Sequence, residues 1–138
     1  MRARASGSRS RSTTRSRLRQ PWPIAATTFL RNLPRQPYGP AVEDGLPVLG
    51  VDGTLRAAGL GSPAAGRIRA KTGNRVYFLP PDQGIVGAQT RIRYIDAASG
   101  RRLVYAHMIR DVPFSTPTEI FAVDDVMTAV EAAIQQAY

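Results

Sequence analysis

The chain has 138 residues, no cysteine, one histidine and a formal net charge of +9 at pH 7. This length suits one modest domain with a single core. The absence of cysteine excludes disulfide scaffolds, thiolate metal sites and cysteine nucleophiles, and a single histidine, His107, excludes multi-histidine metal sites. No apolar run reaches the roughly 18 residues that a membrane span requires.

The whole net positive charge is carried by the first 42 residues of the chain. Residues 1–42 hold nine arginines and no acid, whereas the ten basic and ten acidic residues from 43 onward cancel. Residues 1–21 are rich in Arg and Ser and poor in apolar side chains, so we expect a disordered tail followed by one domain at 22–138. The basic start runs into Gln20-Pro21-Trp22-Pro23, and residues 24–30 are a poor apolar core for a signal peptide, so no working export signal is expected.

An Arg-rich tail can bind phosphates, which makes a small Arg-rich nucleic-acid-binding protein the alternative function of this chain. No aromatic residues alternate with these arginines to stack on bases. The favoured interpretation is therefore an unstructured extension, or upstream sequence translated from a misplaced start, and nucleic acid is not the expected partner.

Local patterns predict few elements before residue 67. A short helix is expected within residues 28–42, where Pro34, Pro37 and Pro40 limit its length. Residues 45–55 should be extended chain with turns, and residues 59–66 a loop.

The following residues alternate as strands do. Arg67, Arg69 and Lys71 face one side of a predicted strand at 67–72, which Gly73 and Asn74 end or bulge. Residues 89–96 and 102–110 form two further strands, joined by a turn at 97–100 into an antiparallel hairpin.

A helix is predicted to close the chain. Asp124 and Asp125 should lie at its start, where the helix dipole favours acids. Apolar residues then recur at helical spacing and should face the core: Val126, Met127, Val130, Ala133, Ile134 and Ala137. The fold class is therefore α+β, with three antiparallel strands and a closing helix. A second covering layer must come from residues 22–48, from a partner, or from sequence that this chain lacks.

One short motif carries chemistry. Lys71-Thr72-Gly73 lies at the predicted end of a strand, and Lys71 is the only lysine. In penicillin-recognising serine enzymes, Lys-Thr-Gly is the third motif, after Ser-x-x-Lys and Ser-x-Asn. The flanking residues strengthen the match: Leu46-Pro47-Val48-Leu49-Gly50-Val51-Asp52-Gly53-Thr54-Leu55, then Ser62-Pro63-Ala64-Ala65-Gly66-Arg67-Ile68-Arg69-Ala70.

With this context, residues 29–138 resemble the C-terminal part of the D-alanyl-D-alanine carboxypeptidase/endopeptidase family of penicillin-binding proteins. The resemblance implies the three strands and closing helix of a penicillin-binding-protein/β-lactamase-like transpeptidase domain. It also implies a serine peptidase of the cell wall that uses no metal and no cofactor. The family acts outside the cytoplasmic membrane on peptidoglycan stem peptides that end in D-Ala-D-Ala.

The resemblance implies a role for each residue of the motif. Lys71 would pair with the substrate's terminal carboxylate, and the Thr72 hydroxyl would donate a hydrogen bond to it. Gly73 would leave room for the peptide, and the Asn74 backbone N–H would be one oxyanion donor. The family usually has Thr where this chain has Asn74. The alternative is that Lys71 is one exposed charge on a strand and Thr72 a good strand former.

The other two motifs of the family are absent. Lys71 is the only lysine and Ile68 stands three residues before it, so Ser-x-x-Lys cannot occur; no serine has Asn two residues later. A Ser-His-Asp triad would be another route to a serine hydrolase. His107 lies in a predicted strand, where we expect a structural sheet histidine rather than a catalytic base, and there is no Gly-x-Ser-x-Gly elbow. We therefore expect a fragment without the catalytic nucleophile, inactive alone, which β-lactams would acylate only if the missing N-terminal part were present.

Overall fold

The computed structural model describes residues 22–80 and 84–138, so the predicted tail at 1–21 lies outside the described residues. Helices α1 (Trp22–Asn32) and α2 (Gly39–Asp44) precede the strands, and helix α3 (Ile120–Ala137) follows them. Strands β1 (Ile68–Phe78), β2 (Ile85–Asp96) and β3 (Arg102–Phe114) form one antiparallel sheet in the order β1-β2-β3. The predicted α+β arrangement of three antiparallel strands and a C-terminal helix is confirmed.

The first helix begins earlier than predicted. α1 begins at Trp22, not near Thr28, and Pro23 is compatible with this because the first turn of a helix needs no backbone N–H donors. It ends at Asn32, before Pro34, as the proline spacing predicts. A single turn of 3-10 helix (Leu33–Arg35) then leads to α2.

The strands are longer than predicted. β1 does not end at Gly73 and Asn74 but continues to Phe78, because these residues pair with Thr90 and Gln89 of β2. β3 likewise continues past Arg110. It passes a bulge, where the register shifts between Gly87 and Gln89 of β2 and Asp111 has a φ of 57°.

The closing helix is also displaced from its prediction. α3 begins at Ile120, so Asp124 and Asp125 lie one turn inside it rather than at its start. Val126 and Val130 do not face the core; they are 64% and 43% exposed. The inward face is instead largely polar, because the sheet beneath it presents arginines: Ile120, Met127, Thr128, Glu131 and Gln135 are buried.

A small core lies on each face of the sheet. On the α3 face, Ile68 and Ala70 of β1 and Ile95 of β2 pack with Leu49 and other residues of the preceding loop. On the α1 face, Tyr94 packs with Leu30 and Leu33, so residues within 22–48 supply part of the second covering layer.

The Tyr94 hydroxyl connects the sheet to α1 by donating a hydrogen bond to the Leu30 carbonyl at 2.6 Å. That carbonyl has no ordinary helical donor four residues on, because Pro34 lacks an N–H.

We expect Tyr94→Phe to lower the free energy of unfolding by about 2 kcal/mol, as for a buried acceptor left without a partner. Urea denaturation measures this, with Tyr77→Phe on the exposed end of β1 as the matched control. Equal losses in the two variants would contradict the expected role of this hydrogen bond.

Candidate functional site

The sequence-predicted site residues, Lys71, Thr72, Gly73 and Asn74, lie consecutively in the middle of β1. Strand alternation sends their side chains to opposite faces of the sheet. Lys71 and Gly73 line a cavity beside α1, Asn74 lines a second cavity beside α3, and Thr72 contributes to both. The structure therefore brings the four residues to one place, with Lys71 and Thr72 on different faces.

β1 is an edge strand, and only part of its outer edge is covered. The Leu49 N–H donates to the Ile68 carbonyl, and the Ala70 N–H donates to the Pro47 carbonyl, each at 2.9 Å. Beyond Ala70, no strand or bridge among the described residues pairs with this edge. Within residues 22–80 and 84–138, the edge is thus open from Lys71 onward.

The direction of the backbone groups follows from the same bonds. In an antiparallel strand, the N–H and C=O of one residue point to the same side, and alternate residues point to opposite sides. Because Ile68 and Ala70 turn their groups to the outer edge, Thr72 and Asn74 do so as well. The Lys71 ammonium contacts the Thr72 carbonyl on this edge. The open edge therefore presents two backbone N–H donors next to the chain's only lysine.

The α3 face of the site is acidic. Asp124 and Asp125 line the cavity of about 400 Å³ that also contains Thr72 and Asn74, and they outnumber the single guanidinium there, that of Arg91. The Asn74 side-chain amide lies 3.5 Å from an Asp124 carboxylate oxygen, and the Gln89 amide donates to Asp124 at 2.7 Å. An anionic ligand is therefore disfavoured on this side, and a carboxylate would approach from the edge or from the α1 face.

Sequence reasoning missed a buried ion cluster behind the motif. Arg91 and Arg93 of β2 and Glu131 of α3 have side chains that are 0–1% exposed. Arg91 pairs with Glu131 at 3.1 Å and also with Asp124. Arg93 places its Nε 2.6 Å from Glu131, but the two atoms are poorly aligned for a hydrogen bond, and its terminal nitrogens have no partner among the described residues.

Burial shifts Glu131 and Arg93 toward their neutral forms. It raises the pKa of Glu131 to about 7, although the positive charges of Arg93 and Arg91 oppose the rise. Burial also lowers the pKa of Arg93 to about 10, with Glu131 opposing the change. The only available signal in the sequence was that both arginines share a strand face with the apolar Ile95.

His107 is a sheet histidine, as predicted, and lies on β3 opposite Arg91. Its Nδ1 is 2.9 Å from the Tyr105 hydroxyl. Burial lowers the pKa of His107, and the charges of Arg91 and Arg93 lower it further, so the imidazole is neutral near pH 7.

Within residues 22–80 and 84–138, no group of three or more His, Cys, Asp or Glu side chains could hold a metal ion. No helix in this part of the chain is long and apolar enough to cross a membrane. Comparison with protein-family models, with curated proteins and with solved structures found no match. The assignment of the Lys-Thr-Gly strand to a protein family is therefore a proposal, and it rests on the residues described above.

Proposed function

We propose that this chain supplies the substrate-carboxylate and oxyanion strand of a serine-type D-alanyl-D-alanine carboxypeptidase that acts on peptidoglycan peptides. The observation that carries the proposal is the position of Lys71-Thr72-Gly73-Asn74 on the open part of the β1 edge. An edge strand with unpaired N–H and C=O groups can accept an extended peptide as an additional strand.

Each residue has a role that fits this position. The Lys71 ammonium attracts the terminal carboxylate of the stem peptide, and the Thr72 N–H donates a hydrogen bond beside it. The Asn74 N–H points to the same edge, where it stabilises the negative charge that develops on the attacked carbonyl oxygen. Removal of one such donor costs roughly 3 kcal/mol of transition-state stabilisation in enzymes where it was tested.

The nucleophile of the proposed reaction must come from outside this chain. An activated serine in this chemistry needs a lysine three residues later, and Ile68 occupies the position three residues before the only lysine. The chain alone therefore binds the peptide without cleaving it. Under this proposal the complete site works outside the cytoplasmic membrane, where peptidoglycan lies.

An acetylated L-Lys-D-Ala-D-Ala peptide is expected to shift the backbone amide NMR signals of residues 71–75. Gly73→Ala should weaken binding about tenfold, because the added methyl group would project on the α1 face beside the edge, against side chains of the added peptide strand. The variant should still fold, since a Cβ at Gly73 has no neighbour within 4 Å. The readouts are the peptide titration and the thermal unfolding midpoint.

Two controls make this test decisive. The same peptide ending in L-Ala-L-Ala should produce no saturable shifts, and Gly100→Ala, far along the chain in the hairpin turn, should leave peptide binding unchanged. Labelled penicillin should leave the intact mass of the chain unaltered. Equal binding of the two peptides would overturn the proposed specificity, and a stoichiometric penicillin adduct would show that the chain has its own nucleophile.

A further inference from the structure

The cavity between α1 and the sheet has, apart from Lys71, features that the proposed peptidase role does not use. It has a volume of about 460 Å³, which lies within the range of about 300–1,000 Å³ typical of small-molecule sites. Its walls are largely apolar: Trp22 and Phe29 come from α1, Ile92 from β2, and Ala106 and Met108 from β3. Trp22 and Phe29 are 57% and 49% exposed, so an apolar occupant would remove aromatic surface from water.

The charged side chains that line this cavity and its adjoining groove are all basic among the described residues. Lys71 lines it at the β1 end, and Arg75 and Arg110 line the adjoining groove on the same face of the sheet. None of the described residues that line the cavity or the groove is Asp or Glu. The cavity on the α3 face instead contains Asp124 and Asp125 against one cation, Arg91. The α1 face therefore favours an anion, and the opposite face disfavours one.

The placement of the charge defines the shape of a complementary ligand. The cavity crosses all three strands, with Lys71 on β1 at one end and Met108 on β3 at the other. Because neighbouring strands lie about 4.8 Å apart, the two ends are separated by about 10 Å across the sheet. An occupant that matches both ends has a charged group at Lys71 and an extended apolar body that reaches Met108.

We propose that this cavity binds an amphiphilic carboxylate, with its hydrocarbon tail between α1 and the sheet and its carboxylate at Lys71. The tail of this ligand lies on the α1 face of the sheet, whereas the proposed peptide adds to the edge of β1; the two ligands share only the Lys71 ammonium. Burial of the tail supplies most of the affinity, and the ion pair with Lys71 selects the sign of the head group.

The test uses decanoate below its micelle-forming concentration. Trp22 is the only tryptophan and lines the cavity, so its fluorescence reports occupancy directly. We expect saturable one-to-one binding by calorimetry and a blue shift of the Trp22 emission. Decyltrimethylammonium has the same tail and the opposite charge. Its affinity should be lower by a factor of up to about five, as expected for the loss of one exposed ion pair.

Variants separate the two parts of the ligand. Lys71→Gln should remove the preference for decanoate over the cation, whereas Arg31→Gln, an equal charge change on the exposed side of α1, should preserve it. Ala106→Phe should fill the cavity and abolish binding of both probes while leaving the stem-peptide NMR shifts unchanged. Equal affinity for the two probes, equal effects of Lys71→Gln and Arg31→Gln, or an absence of saturable binding would overturn the proposal.

Discussion

Replacing Glu131 with leucine should lower the free energy of unfolding by about 3–5 kcal/mol, the expected cost of removing one partner from a buried ion pair. Glu131 is the only carboxylate that pairs with Arg93 among the described residues, and it also pairs with Arg91. Its loss leaves the Arg93 guanidinium buried without a counter-charge. Urea denaturation at pH 8, above the pKa of about 7 that burial gives Glu131, measures the effect with the carboxylate ionised.

Two further variants show whether burial causes this loss. Glu43→Gln removes a carboxylate that pairs with Arg102 near the surface, where the Arg102 side chain is 42% exposed. It should cost less than about 1 kcal/mol, as is usual for solvent-exposed pairs. The double replacement of Arg93 and Glu131 by methionine should be less destabilising than Glu131→Leu, because Arg91 keeps its partner Asp124 and no unpaired charge stays in the interior. A Glu131→Leu variant as stable as Glu43→Gln would contradict the buried-pair account.

Gly39→Ala should lower the free energy of unfolding by about 3 kcal/mol, near the upper end of the costs of overpacking. A Cβ at Gly39 would collide with the Leu33 carbonyl oxygen and lie 2.9 Å from the Leu33 carbonyl carbon. Both atoms belong to the backbone of the turn that joins α1 to α2, so no change of side-chain rotamer can relieve the collision.

The matched control for this substitution is Gly45→Ala at the other end of α2. A Cβ there has its closest neighbour at 3.4 Å, an ordinary contact, and we expect a change within about 0.5 kcal/mol. Thermal or urea unfolding of the two variants makes the comparison. If both lose the same stability, the close approach between Gly39 and Leu33 does not matter for the fold.

Sequence patterns predicted the features that depend on near neighbours. The alternation of Arg69, Ala70 and Lys71 fixed the two faces of β1, and the turn at residues 97–100 joined β2 to β3 as expected. Pro34 ended α1 because it has no N–H for the helix. Each of these features depends on residues that are close in the chain, which is why the sequence alone was sufficient for them.

The lengths of the strands and the inward face of α3 could not be predicted in this way. β1 continues through Gly73 because β2 supplies a partner for every residue of this segment, and the cross-strand ladder outweighs the weak strand preference of glycine. α3 turns Glu131 inward and Val130 outward because Arg91, 40 residues earlier in the chain, lies beneath it. The alternation within β2 cannot show which of its faces a distant helix will cover.

Some features of the candidate site could likewise be predicted from the sequence, and others could not. The sequence by itself placed residues 71–74 on a strand and supplied the resemblance on which the proposed function depends. It also excluded a Ser-x-x-Lys nucleophile, because Ile68 stands three residues before the only lysine. Only the tertiary structure decided that β1 is an edge strand, which no described segment pairs with beyond Ala70, and that Asp124 lies on one face and an apolar cavity on the other. The reason is physical: strand alternation is a local property of the backbone, whereas an open edge and the charge of each face depend on which distant segments pack there.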